Sequence, residues 1–102
     1  MKAVFISFYQ AFYDEVMAVL DKNQISGFTY WGEVQGRGTT DGEPHYGTHA
    51  WPTLNAAVLT FVQDSKVKPL LSDLHDLDLT AEQQGLRAFV MPAEAMTDKN
   101  IE

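Results

Sequence analysis

The sequence has 102 residues, of which 45% are hydrophobic and none is cysteine. This length gives one domain with a buried core and no room for a second, and the lack of cysteine excludes disulfides, thiolate metal sites and cysteine nucleophiles. The formal net charge of −7, from 14 acidic and 7 basic residues, excludes the basic surface on which nucleic-acid binding depends.

The start of the chain and its hydropathy predict a soluble cytoplasmic protein. Residues 3–6 form an apolar run that is too short for a signal peptide. No segment approaches the roughly 20 apolar residues that a membrane-spanning helix requires. We therefore expect no direct insertion into a membrane.

The first third of the chain reads as a strand, a helix and a second strand. Residues 3–9 are rich in β-forming side chains and predict the first strand. Apolar side chains then recur at helical spacing, with acidic residues and a lysine on the other side, which predicts an amphipathic helix. They are Phe12, Val16, Val19 and Leu20. Turn-forming residues 23–27 end this helix, and residues 27–35 predict the second strand.

The second half of the chain predicts a strand, a helix and a final strand. Residues 55–62 are apolar on both faces and indicate a central strand. Residues 63–65 offer side chains that can cap a helix, and Pro69 fits the first turn of that helix. Residues 80–85 form a polar connection to the last strand, residues 86–91. The helix has an apolar stripe of Val67, Leu70, Leu71, Leu74 and Leu77.

The element order βαββαβ predicts a ferredoxin-like α+β sandwich, in which two helices cover one face of a four-stranded antiparallel sheet. Residues 1–95 form this single domain, and residues 96–102 form a polar tail. Apolar side chains alternate onto both faces of the strands. The face without helices would therefore be buried against other subunits.

A long polar segment, about residues 36–54, joins the second and third strands. Most hairpins need roughly two to five residues at this point, and much longer loops in small domains are commonly functional. The segment carries an arginine, two histidines and a tryptophan. We interpret it as a working loop that contacts a ligand or a partner.

The order, length and motifs of the chain together resemble the P-II (PII) signal-transduction family. Residues 27–38 are similar to the approach to that family's mobile T-loop, and residues 57–62 precede a helix in the family manner. Residues 87–94, with a basic residue, a Phe-Val core and a Pro-x-Glu end, look like the closing strand. The divalent-cation-tolerance family shares the architecture, but less of its local sequence is present.

The resemblance implies a homotrimeric regulatory protein with ligand sites in the clefts between subunits. Family members bind adenine nucleotides there, and some also bind 2-oxoglutarate with magnesium. The T-loop docks on a target enzyme or a membrane transporter. For this chain, the resemblance implies that residues 36–54 would take the part of the T-loop.

Site residues are carried over from the family position by position. Gly36 and Gly38 match the glycines at the T-loop base, with Arg37 between them in a turn that favours phosphate, and Arg87 matches a basic residue that contacts phosphate. Thr40 stands where the family has a glutamine that binds the 2-oxoglutarate–magnesium unit, which argues against that ligand.

The family's phosphate loop before the last strand is changed in this chain. That loop is normally glycine-rich and basic, because backbone N–H groups exposed by glycines hold an anion. Residues 80–85 have one glycine and contain Glu82, whose charge repels phosphate. We therefore expect ATP to bind weakly or not at all.

The long loop also suggests a second hypothesis, a metal-binding or metal-tolerance protein of the same fold that is linked to cation efflux. His45 and His49 are four residues apart, and Glu43 precedes them. Neutral imidazole is a good ligand for a divalent transition metal such as zinc, copper or nickel. The alternative is that these histidines form hydrogen bonds within their own loop.

Catalysis has little support in the sequence. Nucleophilic catalysis needs a nucleophile, a base and an orienting group brought together, and the serines of this chain lie outside any such motif. We therefore predict that the protein is not an enzyme. A small enzyme of ferredoxin-like fold remains a third hypothesis, which a dimer would favour, whereas a trimer favours the first two.

If the loop binds a metal, the double change His45→Ala and His49→Ala should abolish zinc binding in a calorimetric titration. Affinity should also fall as the pH falls through about 6.5, because protonated imidazole has no lone pair for the metal. Unchanged zinc affinity in the double variant would rule out these ligands and leave diffuse binding to acidic groups.

Overall fold

The structure is a computed structural model that describes residues 1–36, 54–80 and 85–97. Its elements follow the predicted order βαββαβ. A single turn of 3-10 helix, Gln10–Phe12 or Asp64–Lys66, precedes each α-helix. The elements are β1 Lys2–Tyr9, α1 Tyr13–Lys22, β2 Thr29–Val34, β3 Asn55–Val62, α2 Val67–Leu79 and β4 Arg87–Pro92.

The four strands form one antiparallel sheet in the order β2-β3-β1-β4. The strands β1 and β3 are therefore central, and β2 and β4 are the edges. β1 pairs with β3 along its whole length, from Lys2 opposite Val62 to Tyr9 opposite Asn55. This interleaved order confirms the predicted ferredoxin-like sandwich.

Both helices pack on the same face of the sheet. Alternate side chains of β1, namely Val4, Ile6 and Phe8, are fully buried, as the two-residue period of a strand requires. The helices contribute to the same apolar cluster with Val16, Leu20, Leu70 and Leu74. One core therefore holds α1, α2 and the central strands together. In the described part of the chain, no helix is long and apolar enough to cross a membrane.

The second face of the sheet is apolar, and neither of the described helices, α1 and α2, covers it. Residues opposite each other in register share a face, so Phe5 lies beside Leu59 on β3 and Phe89 on β4. Phe61 and Phe89 are 55% and 56% exposed on it. We call this surface the open face, and it comprises Ala3, Phe5, Trp31, Ala57, Leu59, Phe61, Phe89 and Met91.

The start of α2 differs in part from the prediction. Residues 63–65 were expected to cap the helix, but no capping hydrogen bond from the Gln63 side chain is found. The Asp64 carboxylate instead pairs with the amine of Met1 at 2.9 Å. The hydrogen bond from this amine, followed by its positive charge, lowers the pKa of Asp64. Pro69 is the third residue of α2 and lies in its first turn, as predicted.

One polar contact joins the end of α1 to the middle of α2. The Asp73 carboxylate accepts hydrogen bonds from the Asn23 amide at 2.9 Å and from the Lys22 ammonium at 3.2 Å. The Asn23 amide also donates to the Val19 carbonyl, which caps the last turn of α1. The bond from Asn23, followed by that from Lys22, lowers the pKa of Asp73.

Replacing Asp73 with Asn tests this contact through its pH dependence. A lowered pKa in the folded state stabilises the protein above the ordinary value of 3.8, and this stabilisation is lost as the pH falls through the folded-state pKa. We expect Asp73→Asn to unfold at lower urea concentration than the wild type at pH 7, with the difference closing below pH 3.8. Asp76→Asn, at an exposed position on α2, should behave like the wild type. An equal deficit at pH 3 and pH 7 would contradict a charge-based contact.

Candidate functional site

The described candidate residues lie at one end of the sheet. β2 ends just before Gly36, and β3 begins at Asn55. In β1, Ser7 lies opposite Arg87, which begins β4. Because neighbouring strands run antiparallel, these four positions share one end, which we call the loop end of the sheet.

Gly36 and Arg87 share that end but are not brought together within one chain. They belong to opposite edges of the sheet, with β3 and β1 between them. Strands lie about 4.8 Å apart, so three spacings separate the edges by about 14 Å. The other predicted residues, Arg37, Gly38, Thr40, Glu43, His45 and His49, lie outside the described residues.

Gly36 is required by a close approach to a buried amide. Asn55 is 4% exposed, and its amide donates to the Ser7 hydroxyl at 3.3 Å. A Cβ atom at position 36 would overlap the Asn55 amide group. Glycine is therefore needed here for space. Sequence reasoning placed Gly36 at the loop base but missed Asn55 and Ser7, for which a polar residue opening an apolar strand was the available signal.

Gln10, which follows β1, holds both ends of the loop. Its backbone N–H donates to the Leu54 carbonyl at 2.9 Å, and its side-chain amide donates to the Gly32 carbonyl at 2.9 Å. The pairing register of β2 shifts between Trp31 and Val34, the interval that contains Gly32. The strands on both sides of the loop are thus fixed to a third segment as well as to each other.

Arg87 forms an ion pair with the last turn of α2. Its Nη1 atom donates to Asp78 Oδ2 at 3.1 Å and to the Leu86 carbonyl at 2.8 Å. The second oxygen of Asp78 accepts the Leu86 backbone N–H at 3.0 Å. Asp78 therefore joins the end of α2 to the start of β4, on either side of the connection that carries Glu82.

A shallow pocket of about 340 Å³ lies between α2 and β4 beside this ion pair. His75 is exposed and lines this pocket. The pocket thus combines an apolar floor with two charged groups and an imidazole. Its lining includes Leu71, Leu74, His75, Asp78, Leu86 and Arg87.

The described residues were also compared with the requirements of a metal site. Within residues 1–36, 54–80 and 85–97, no three His, Asp or Glu side chains form a group that could hold a metal ion.

Two tyrosine rings lie close together beside β2: the ring centroids of Tyr30 and Tyr13 are 4.9 Å apart. Burial, followed by the charges of Tyr13 and Glu33, raises the pKa of Tyr30 above its ordinary value.

Comparison with known proteins identifies the fold. No family model matches the sequence, and no curated protein matches it. The structure of CPII, a nitrogen regulatory PII-like protein from Thiomonas intermedia K12 bound to ADP, AMP and bicarbonate, superposes with a TM-score of 0.71 at 21% identity. This match covers 88% of this chain and 82% of CPII.

Two other solved structures give the same result. The apo form of CPII has a TM-score of 0.63 at 17% identity over 88% of this chain and 87% of that one. A PII-like signalling protein from Thermus thermophilus has a TM-score of 0.62 at 18% identity, covering 88% and 83%. The chain therefore has the fold of the PII-like signalling proteins, as the resemblance of its motifs indicated.

Gly36→Ala tests the close approach at the loop end. Overpacking of a filled site costs about 1–3 kcal/mol, and we expect a loss of stability of this size in urea unfolding. The loss should shrink in an Asn55→Ala background, which removes the obstructing amide. Gly27→Ala is the control, because a Cβ there meets nothing within 4 Å. Equal effects of Gly36→Ala in both backgrounds would show that Asn55 is not the cause.

Proposed function

We propose that this protein is a PII-like regulator that binds an adenine nucleotide in the clefts between the subunits of a homotrimer. The observation that carries the proposal is the placement of Gly36 and Arg87 on opposite edges of a sheet with an uncovered apolar face. A site that uses both residues needs a neighbouring subunit. The PII-like fold supports this assignment.

The open face supplies the driving force for assembly. Burial of apolar surface stabilises by about 25 cal/mol per Å², and four large side chains of this face are exposed in the single chain. These side chains are Trp31, Phe61, Phe89 and Met91. Three subunits that turn their open faces toward a common axis would bury all of them, with the strands at the centre of the trimer.

Rotational symmetry then completes the site. A ring of three subunits joins unlike edges, so that β2 of one subunit lies beside β4 of the next. Gly36 of one subunit would approach Arg87 of its neighbour. The cleft would thus combine the base of the loop with a guanidinium group, which suits a phosphate.

The choice of ligand follows from this chemistry and from the fold. CPII has been solved with ADP, AMP and bicarbonate, and the Arg87 guanidinium offers this chain a phosphate contact. The connection at residues 80–85 has one glycine and an acidic residue, Glu82, which weakens an anion site. We therefore propose weak binding of nucleotide.

In this proposal, the loop of residues 36–54 contacts the protein that is regulated. Its length, glycines and aromatic residues suit a segment that docks on another protein, either an enzyme or a membrane transporter. Ligand bound at the base of the loop would favour some loop conformations over others. The protein would act in the cytoplasm by binding and would catalyse no reaction.

The assembly is tested by sedimentation equilibrium. We expect a mass of about three times 11.4 kDa for the wild type. Phe89→Glu should dissociate it, because a charge on the open face is costly to bury. Leu79→Glu places the same charge at an exposed apolar position on α2 and should leave the trimer intact. A wild-type monomer at micromolar concentration would overturn the proposed assembly.

Nucleotide binding is tested by calorimetry with ADP and ATP. We expect affinities weaker than micromolar for the wild type and no measurable binding for Arg87→Ala, because that change removes the phosphate contact. Lys68→Ala removes an equal charge at an exposed position near the start of α2 and is the control. Absence of wild-type binding at millimolar nucleotide, or full binding by Arg87→Ala, would contradict the site.

A further inference from the structure

We infer that Asp78 is an internal competitor for anions at Arg87, and that its carboxylate sets how tightly the site holds a phosphate. This inference rests on the proposed function, because it concerns the same guanidinium group. It adds a residue that determines the strength of ligand binding. Asp78 would act on the ligand through Arg87 and through its own charge.

The geometry already gives Arg87 an anionic partner. Asp78 Oδ2 lies 3.1 Å from Arg87 Nη1, within the range of a charge-assisted hydrogen bond. The same Nη1 atom donates to the Leu86 carbonyl at 2.8 Å. A phosphate that approached this nitrogen would therefore have to displace the carboxylate.

Asp78 would stay near the site after displacement. Its second oxygen accepts the Leu86 N–H at 3.0 Å, and its backbone belongs to the last turn of α2. An incoming phosphate would thus meet a fixed negative charge next to the guanidinium that attracts it. The charge of Asp78 opposes the ligand in both the paired and the released state.

The ion pair is nevertheless weak enough to be exchanged. The side chains of Arg87 and Asp78 are 43% and 26% exposed, and ion pairs open to water contribute little to stability. The pocket of about 340 Å³ borders both residues, so the guanidinium has room to swing away. Asp78 would therefore lower phosphate affinity by about two- to fivefold without abolishing binding.

Asp78→Asn isolates the effect of the charge. The amide oxygen of Asn can still accept the Leu86 N–H, while the negative charge is lost. Asp76→Asn is the matched control, since it makes the same change in net charge at an exposed position two residues earlier. Asp78→Ser is a second charge-removing variant, used if the first does not fold.

We expect Asp78→Asn to bind ADP about two- to fivefold more tightly than the wild type in calorimetry, with no change for Asp76→Asn. The double variant Asp78→Asn and Arg87→Ala should show no measurable binding, as Arg87→Ala does, because the phosphate contact is missing in both. Unchanged binding by Asp78→Asn would overturn the inference. Weaker binding would also overturn it and would assign Asp78 the role of positioning Arg87.

A second measurement separates this inference from the proposed function. The chain has two arginines, Arg37 and Arg87, so the guanidinium NMR signals can be assigned with Arg37→Lys. Inorganic pyrophosphate should shift the Arg87 signal at lower concentration in Asp78→Asn than in the wild type. Equal titrations would overturn the competition even if ADP binds. If no variant binds ADP, the nucleotide proposal fails, while the pyrophosphate titration still decides the role of Asp78.

Discussion

The central strands are apolar on both faces, and this constraint shapes the rest of the molecule. Val4, Ile6 and Phe8 fill one side of β1 and need the two helices above them. Phe5 lies on the other side, which neither α1 nor α2 covers. Two helices are enough for one face of a four-stranded sheet. The second face therefore remains apolar surface that further copies of the protein can bury.

The antiparallel order of the strands sets where ligand chemistry can arise. It gathers the exit of β2, the start of β3 and the start of β4 at one end, yet it places Gly36 and Arg87 on opposite edges. In the proposed trimer, the single chain carries two halves of the site. Assembly would join them, so that oligomerisation and ligand binding would depend on each other. Asp78 would then modulate binding at one half.

Much of the fold could be predicted because its signals are local. The apolar run of β3 and the helical stripes fixed element types, and the element order fixed the class. Residue pairs distant in sequence were not predictable in this way. Asn55 leaves no space for a side chain at position 36, and Arg87 pairs with Asp78, which is nine residues earlier. Both contacts arise from the placement of strands and helix ends in the fold. The prediction of a capping side chain at residues 63–65 rested on local residue preference alone. In the structure, the Asp64 carboxylate pairs with the Met1 amine.

The hydrogen bonds of Gln10 allow the segment between β2 and β3 to vary in length and sequence. The Gln10 side chain binds Gly32 in β2 and its backbone binds Leu54 just before β3, so Gln10 links the segments on the two sides of residues 37–53. Loop closure entropy changes by only about 0.6 kcal/mol for each doubling of length. The scaffold can therefore accept connecting segments of different length and sequence between these two points. Evolution or a protein engineer could change this segment while the core is conserved.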